Sequence, residues 1–403
     1  MQFSLRSASG SLQLTTLAVF TLLACGCGQE AAPTFSTLPD QNSLRDRIDA
    51  VVNHTLNNRT LSTNTHNAWQ IVHGILPYGK AFKIEHDGQL VPALDYLLQG
   101  GQLKGWDLRP GEKGVIAQLE PGSKAAQGHP DQWIGYLSQG GLDGLHGLNP
   151  EEPLIVGGKQ YRVGDLLSQA EWDVMPGMEA SWTVMAMSAY RPVDYKWTSR
   201  DGSDWTVERL VGMDAGFGVK DGASCGGTHR LSALTLAVNR YMHDTNTPAD
   251  KLTGGWKKAN DLVTDCMKKA QQYQQPDGSF STEFFVRPGR SSDVNATLHA
   301  TGHTLEWLCV ALNDQQLQAP WVTAAVTRLC QLLEDNRDRE LDCGALYHAA
   351  RGLRLYRDRR FGPVESSSTT IAARPAGEES KTAQVAAKQD DDAPPPPPTG
   401  ASR

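Results

Sequence analysis

The sequence predicts an all-α protein, an α/α toroid of about six inner and six outer helices with small irregular or β insertions. Three observations predict it. Helical apolar patterns recur along the chain with Gly- and Pro-rich loops between them. They alternate between segments polar on one side and segments apolar all round. An amphipathic helix lies on a surface, whereas one apolar around its circumference is buried. Finally, a His or Cys tends to stand where a buried segment opens: Cys225-Gly-Gly-Thr-His229, His299-Ala-Thr-Gly-His303 and Cys343-Gly-Ala-Leu-Tyr-His348. Parallel inner helices would deliver these residues to one mouth, which makes the mouth the candidate site.

The elements follow in order. Residues 1–24 read as a signal peptide: Arg6, then an apolar stretch from Leu12 to Ala24. That stretch falls short of the about 20 apolar residues a membrane span needs. Leu22-Leu23-Ala24-Cys25-Gly26-Cys27 resembles the bacterial lipoprotein signal, which implies lipidation of Cys25, with Cys27 as the alternative. No Asp follows either Cys, which in that family leans towards an outer-membrane or surface address. Residues 25–40 then form a lipidated tether, 41–363 the toroid domain, and 364–403 a disordered tail ending in Asp390-Asp391-Asp392 and a Pro run. The expected partner is therefore a membrane, reached through lipid in the cell envelope.

Half-polar helices are expected over 43–56, 91–99, 163–172, 204–211, 255–275 and 320–335. Buried helices are expected over 67–76, 131–138, 179–190, 228–241, 302–312 and 344–356. Residues 78–128 read as irregular, a hairpin or lid over the mouth, and 153–162 as strand–turn–strand. The net charge is −7 and no Lys/Arg cluster stands out, which argues against nucleic-acid binding.

Of seven cysteines, two lie in the lipidation region. Cys266, Cys309 and Cys330 sit within apolar helical patterns and read as small core hydrophobes. Cys225 and Cys343 open helices beside Gly and ahead of a His. A helix start favours thiolate, and thiolate with imidazole suits zinc. The candidate metal ligands are Cys225, His229, His299, His303, Cys343 and His348, with zinc the possible cofactor. The same residues also fit a disulfide from Cys225 to Cys343, or simple polar lining of the mouth. For general acid/base work the candidates are His229, His303, Glu179 and Asp131. Asp214, Glu306, His66 and His73 are further polar members, and Trp133, Trp182 and Trp307 are either sugar platforms or core.

Trp256, Ala259, Val263 and Ala270, followed by Gln274-Gln275-Pro-Asp277-Gly278-Ser279-Phe280, resemble the repeat of the terpenoid cyclase and protein prenyltransferase superfamily. The resemblance covers about residues 255–312. It implies the toroid more than any chemistry. The Asp-rich motif with which squalene–hopene-type cyclases protonate a double bond is absent from 41–363. The prenyltransferase zinc set finds only a loose echo in Asp342, Cys343 and His348. Three function classes stay open. The first is a hydrolase or lyase on an anionic envelope or extracellular glycan, the second a metal-assisted enzyme on an isoprenoid or lipid, and the third a non-catalytic binding or scaffold protein. The sequence does not decide whether the chain is an enzyme.

Overall fold

The computed structural model describes residues 40–119, 129–139, 147–220 and 223–363. The signal peptide, Cys25 and Cys27, and the tail at 364–403 lie outside the described residues. The described chain is mostly α-helical. Its helices are α1 (Gln41–Asn58), α2 (Ala68–Tyr78), α3 (Ala93–Leu98), α4 (Gln132–Leu137), α5 (Val163–Asp173), α6 (Ser181–Tyr190), α7 (Val207–Phe217), α8 (Thr228–Thr245), α9 (Gly254–Gln272), α10 (Val294–Ala311), the short α11 (Asp314–Leu317), α12 (Pro320–Asp335) and α13 (Cys343–Phe361). No described helix is long and apolar enough to cross a membrane.

Both expected series are present. The half-polar kind buries one stripe. In α1 the stripe is Leu44, Ile48, Val51 and Thr55, and in α9 it is Trp256, Ala259, Val263, Cys266 and Ala270. Steps of three and four residues keep such a stripe on one face. The buried kind is covered over long stretches: α6 is buried without a break from Ser181 to Ser188, and α10 from Ala300 to Cys309, while α8 is mostly buried in its first half and exposed at its C-terminal end. These buried helices pack in succession, α2 on α13, α13 on α10, α10 on α8, α8 on α6 and α6 on α4. Tyr136 of α4 also reaches α2, its hydroxyl 3.0 Å from Nε2 of His73. Cys266, Cys309 and Cys330 are buried in the apolar core, as expected.

The turn after α9 behaves as its sequence suggests. Asp277 accepts from the Ser279 amide, Gln274 donates to Gly278 O and to Trp321 O on α12, and Phe280 is buried. The side chain of Gln274 thus ties the end of α9 to the start of α12.

Short antiparallel hairpins occupy the loops. They are β2 (Lys83–His86) with β3 (Gln89–Pro92), β4 (Trp106–Pro110) with β5 (Val115–Leu119), β6 (Pro153–Val156) with β7 (Lys159–Arg162), and β8 (Lys196–Thr198) with β9 (Asp204–Thr206). A two-residue β1 (Leu61–Ser62) joins β2 in parallel. The hairpin at 153–162 was expected, and the one at 196–206 was not. Three of them run straight into a helix: β3 into α3, β7 into α5 and β9 into α7.

Two helix starts differ from the sequence reading. α10 begins at Val294, where Asp293 accepts from the amides of Asn295 and Ala296. His299 and His303 therefore stand in its second and third turns, not at its opening. α8 begins at Thr228, so Cys225 precedes the helix and shares no helical face with His229. The Gly pair explains the error. Cys225, Gly226 and Gly227 take left-handed φ of 48°, 61° and 79°, which ends any continuous helix there.

Candidate functional site

Five histidine rings meet inside the array of buried helices. The rings of His303 and His348 are 3.8 Å apart, His299 and His303 4.3 Å, His229 and His348 5.1 Å, and His229 and His303 5.3 Å. His73 stands 5.0 Å from His348. So α2, α8, α10 and α13, distant in sequence, each contribute to one cluster. Trp69 packs on His73, and Trp182 on His229. The cluster lies deeper than a lip: His73, His303 and His348 are buried, while His229 and His299 are partly exposed.

Oxygen acceptors fix the orientation of three of these rings. Nδ1 of His73 reaches Trp69 O at 2.5 Å, Nδ1 of His303 reaches His299 O at 2.8 Å, and Nδ1 of His348 reaches a carboxylate oxygen of Glu306 at 2.5 Å. A carbonyl or carboxylate can only accept, so Nδ1 carries the proton and Nε2 the lone pair. On His73 that lone pair accepts from Tyr136. On His303 and His348 the buried Nε2 atoms have no hydrogen-bond partner. Glu306, in turn, pairs with Arg351 at 2.8 Å, and Arg351 also donates to Leu76 O. Burial pushes Glu306 up, with the Arg351 charge pulling it back. Burial likewise holds His229, His303 and His348 well below their ordinary values, and His73 at about 3, so the rings are neutral at pH 7.

The predicted site residues divide. Cys225, His229 and His303 come together, their ligand atoms all within 4.8 Å of one another. Among the described residues this is the one such group of His, Cys, Asp and Glu. His299 and His348 flank it. Cys343 does not join it: its sulfur accepts from the Gln70 side chain at 3.8 Å. Cys225 and Cys343 are both free, so the disulfide reading fails. Nor does a helix start make either a thiolate, because burial pushes both thiols up to about 12. His66 lies apart, accepting from the Ser62 amide.

The carboxylates are placed differently from expectation. Glu179 reaches Nδ1 of His129 at 2.8 Å, and this hydrogen bond lowers its pKa. His129 carried no role in the sequence reading; it lies in a loop, where periodicity gives no signal. Asp131 is the residue before α4 but makes no side-chain cap, and the Thr183 hydroxyl donates to it instead. Burial raises Asp131 to about 6. Asp214 is fully buried against Arg230 and Ser181. Trp182 and Trp307 are core residues, and Trp307 Nε1 donates to Thr235.

Three cavities border this region, and His129 lines all of them. One of about 230 Å³ is lined by His129, Glu179, Ser181, Phe217, His229 and Arg230, among others. A smaller one of about 70 Å³ includes Trp69, Tyr136, Cys225, His229, His299 and His303. The third, about 380 Å³, holds Asp131 among Trp106, Val115, Trp133, Ile134, Leu166 and Met178.

No protein-family model, curated protein or solved structure matches the chain.

Proposed function

We propose that the chain is an exported, lipid-anchored enzyme, a hydrolase or lyase acting on an anionic envelope or extracellular glycan. Its fold on this reading is an α/α toroid, with α2, α4, α6, α8, α10 and α13 as the inner ring. The succession of buried helix pairs, and the link from Tyr136 to His73, support the ring. The lipid anchor rests on the sequence around Cys25.

One observation carries the catalytic reading: a His and a carboxylate 2.8 Å apart, set where the cavities adjoin. Glu179 holds the Nδ1 proton of His129 and so leaves Nε2 to take or give a proton. Ser181 and Gly227, at the starts of α6 and α8, line the 230 Å³ cavity with Arg230. Helix starts favour an anionic group there, beside an Arg230 already paired with Asp214. The volume is below the about 300–1,000 Å³ of drug-sized ligand sites, which suits a chain end or single sugar.

A second reading, a metal-assisted enzyme on an isoprenoid or lipid, draws on the apolar lining of the 380 Å³ cavity. The deciding experiment incubates the protein with acidic polysaccharides and with isoprenoid diphosphates. New reducing or unsaturated ends from the glycans support the first reading. His129→Ala and Glu179→Gln should then lower turnover by a factor on the order of 10²–10⁴ without unfolding. Turnover of the isoprenoid alone supports the second. Glycan that binds and is recovered unchanged overturns the enzymatic reading in favour of a binding protein.

A further inference from the structure

We propose that Cys225, His229 and His303 form a binding site for a single divalent cation of the zinc class, with one coordination position left open. The inference does not depend on the reaction above, because metal binding is read without turnover.

The donor set comes first. Sγ of Cys225 and one ring nitrogen each of His229 and His303 lie within 4.8 Å of one another. Zinc bonds of about 2.0–2.3 Å bring such atoms somewhat closer, a movement of side-chain scale. Sulfur with two imidazoles selects zinc-class ions over magnesium or calcium, which prefer oxygen.

A second observation is independent of that spacing. Nε2 of His303 is buried and lacks a hydrogen-bond partner, while Nδ1 is committed to His299 O. A lone pair aimed inward, with the opposite nitrogen tied to a carbonyl, is the state of a metal-bound imidazole. His348 repeats it on Glu306, its ring 3.8 Å from that of His303. A buried lone pair without a donor is unfavourable in a dry interior, and a cation relieves that of His303.

The backbone fixes the third donor. A Cβ at Gly226 would sit 2.0 Å from the Phe284 ring at a left-handed φ of 61°, so any other residue there strains the turn. This pinned turn before α8 holds the thiol beside the cluster. Competing donors are occupied: Cys343 by Gln70, His73 by Tyr136, and Asp342 as the cap of α13. Three protein ligands are the pattern of catalytic rather than structural zinc. The 70 Å³ cavity lined by Cys225, His229 and His303 also reaches His129, so an exchangeable ligand has room.

The test uses the full chain, stripped with a chelator and titrated with Co²⁺ and Zn²⁺. One equivalent should bind, and Co²⁺ should give thiolate-to-cobalt charge-transfer absorption. Cys225→Ser should lose that absorption and bind zinc at least about tenfold more weakly, since losing a ligand exceeds losing an outer-shell partner. Cys343→Ser should keep it. Wild-type protein that takes up no stoichiometric metal overturns the proposal, whatever the variants do. So does charge-transfer absorption that survives in Cys225→Ser or vanishes in Cys343→Ser.

Discussion

Asp131 shows how a single residue can be placed against its own electrostatics. Burial lifts its carboxyl to about 6, and the hydrogen bond from Thr183 only partly offsets this. A carboxyl raised in the folded state holds its proton more tightly there than in the unfolded chain, where its value is about 3.9. Stability from this group is full below pH 4 and is lost as pH rises through 6. Asp131→Asn keeps an acceptor for Thr183 and abolishes the charge. It should stabilise the protein by about 2 kcal/mol at pH 7.5, and by much less at pH 4, in denaturant titrations. Asn also tolerates the left-handed φ of 60° better, but that gain is the same at both pH values. An equal gain at both would show that the backbone, not the buried charge, sets the cost. At this scale the sequence was a partial guide. Cys225, His229, His303 and His348 were legible as polar marks on apolar segments. The pairing of His129 with Glu179 was not, because residues 50 apart in loops leave no periodic trace.

At the scale of elements, the packing of α10 on α13 carries the cluster. Gly302 on α10 faces α13, and a Cβ there would lie 2.7 Å from the Ala349 amide nitrogen. Gly352 returns the favour towards Glu306 and Gly302. This small-residue contact is what lets the His303 and His348 rings come within 3.8 Å of each other. Gly302→Ala should therefore destabilise by about 1–3 kcal/mol, as overpacking does, even though Ala is the better helix former. A thermal shift upward would contradict the close packing of α10 on α13. The 3.6-residue period made nearly every helix legible, since burial on one face or on all faces is written directly into apolar spacing. Helix starts were harder. Asp293 ahead of Val294 was a capping signal for α10, but the polar Asn295 and His299 obscured the apolar pattern behind it. The hairpin at 196–206 also had a signal, Trp197 and Trp205 around Asp201-Gly202, which was outweighed by the helical periods on either side.

At the scale of the whole molecule, the interior of the helix array holds a buried polar cluster among its apolar residues. A chain folding only for stability would fill this space with aliphatic side chains. Here it holds His73, His303 and His348, all neutral against burial, with Glu306 and Arg351 behind them. Sequence could suggest convergence but not depth, because the turn on which a His stands depends on where its helix begins. The account's central claim is that His303 and His348 keep bare Nε2 lone pairs in this interior. It is tested most directly by histidine ¹⁵N spectra of chelator-treated protein across a pH titration, assigned with His303→Gln and His348→Gln. Folded-state values below the ordinary 6.5 mean that both rings resist protonation. The account predicts Nδ1–H tautomers for both, unchanged from pH 7.5 to 5.5, with His73 behaving likewise. Nε2–H tautomers, or protonation of these rings near pH 6.5, would contradict it.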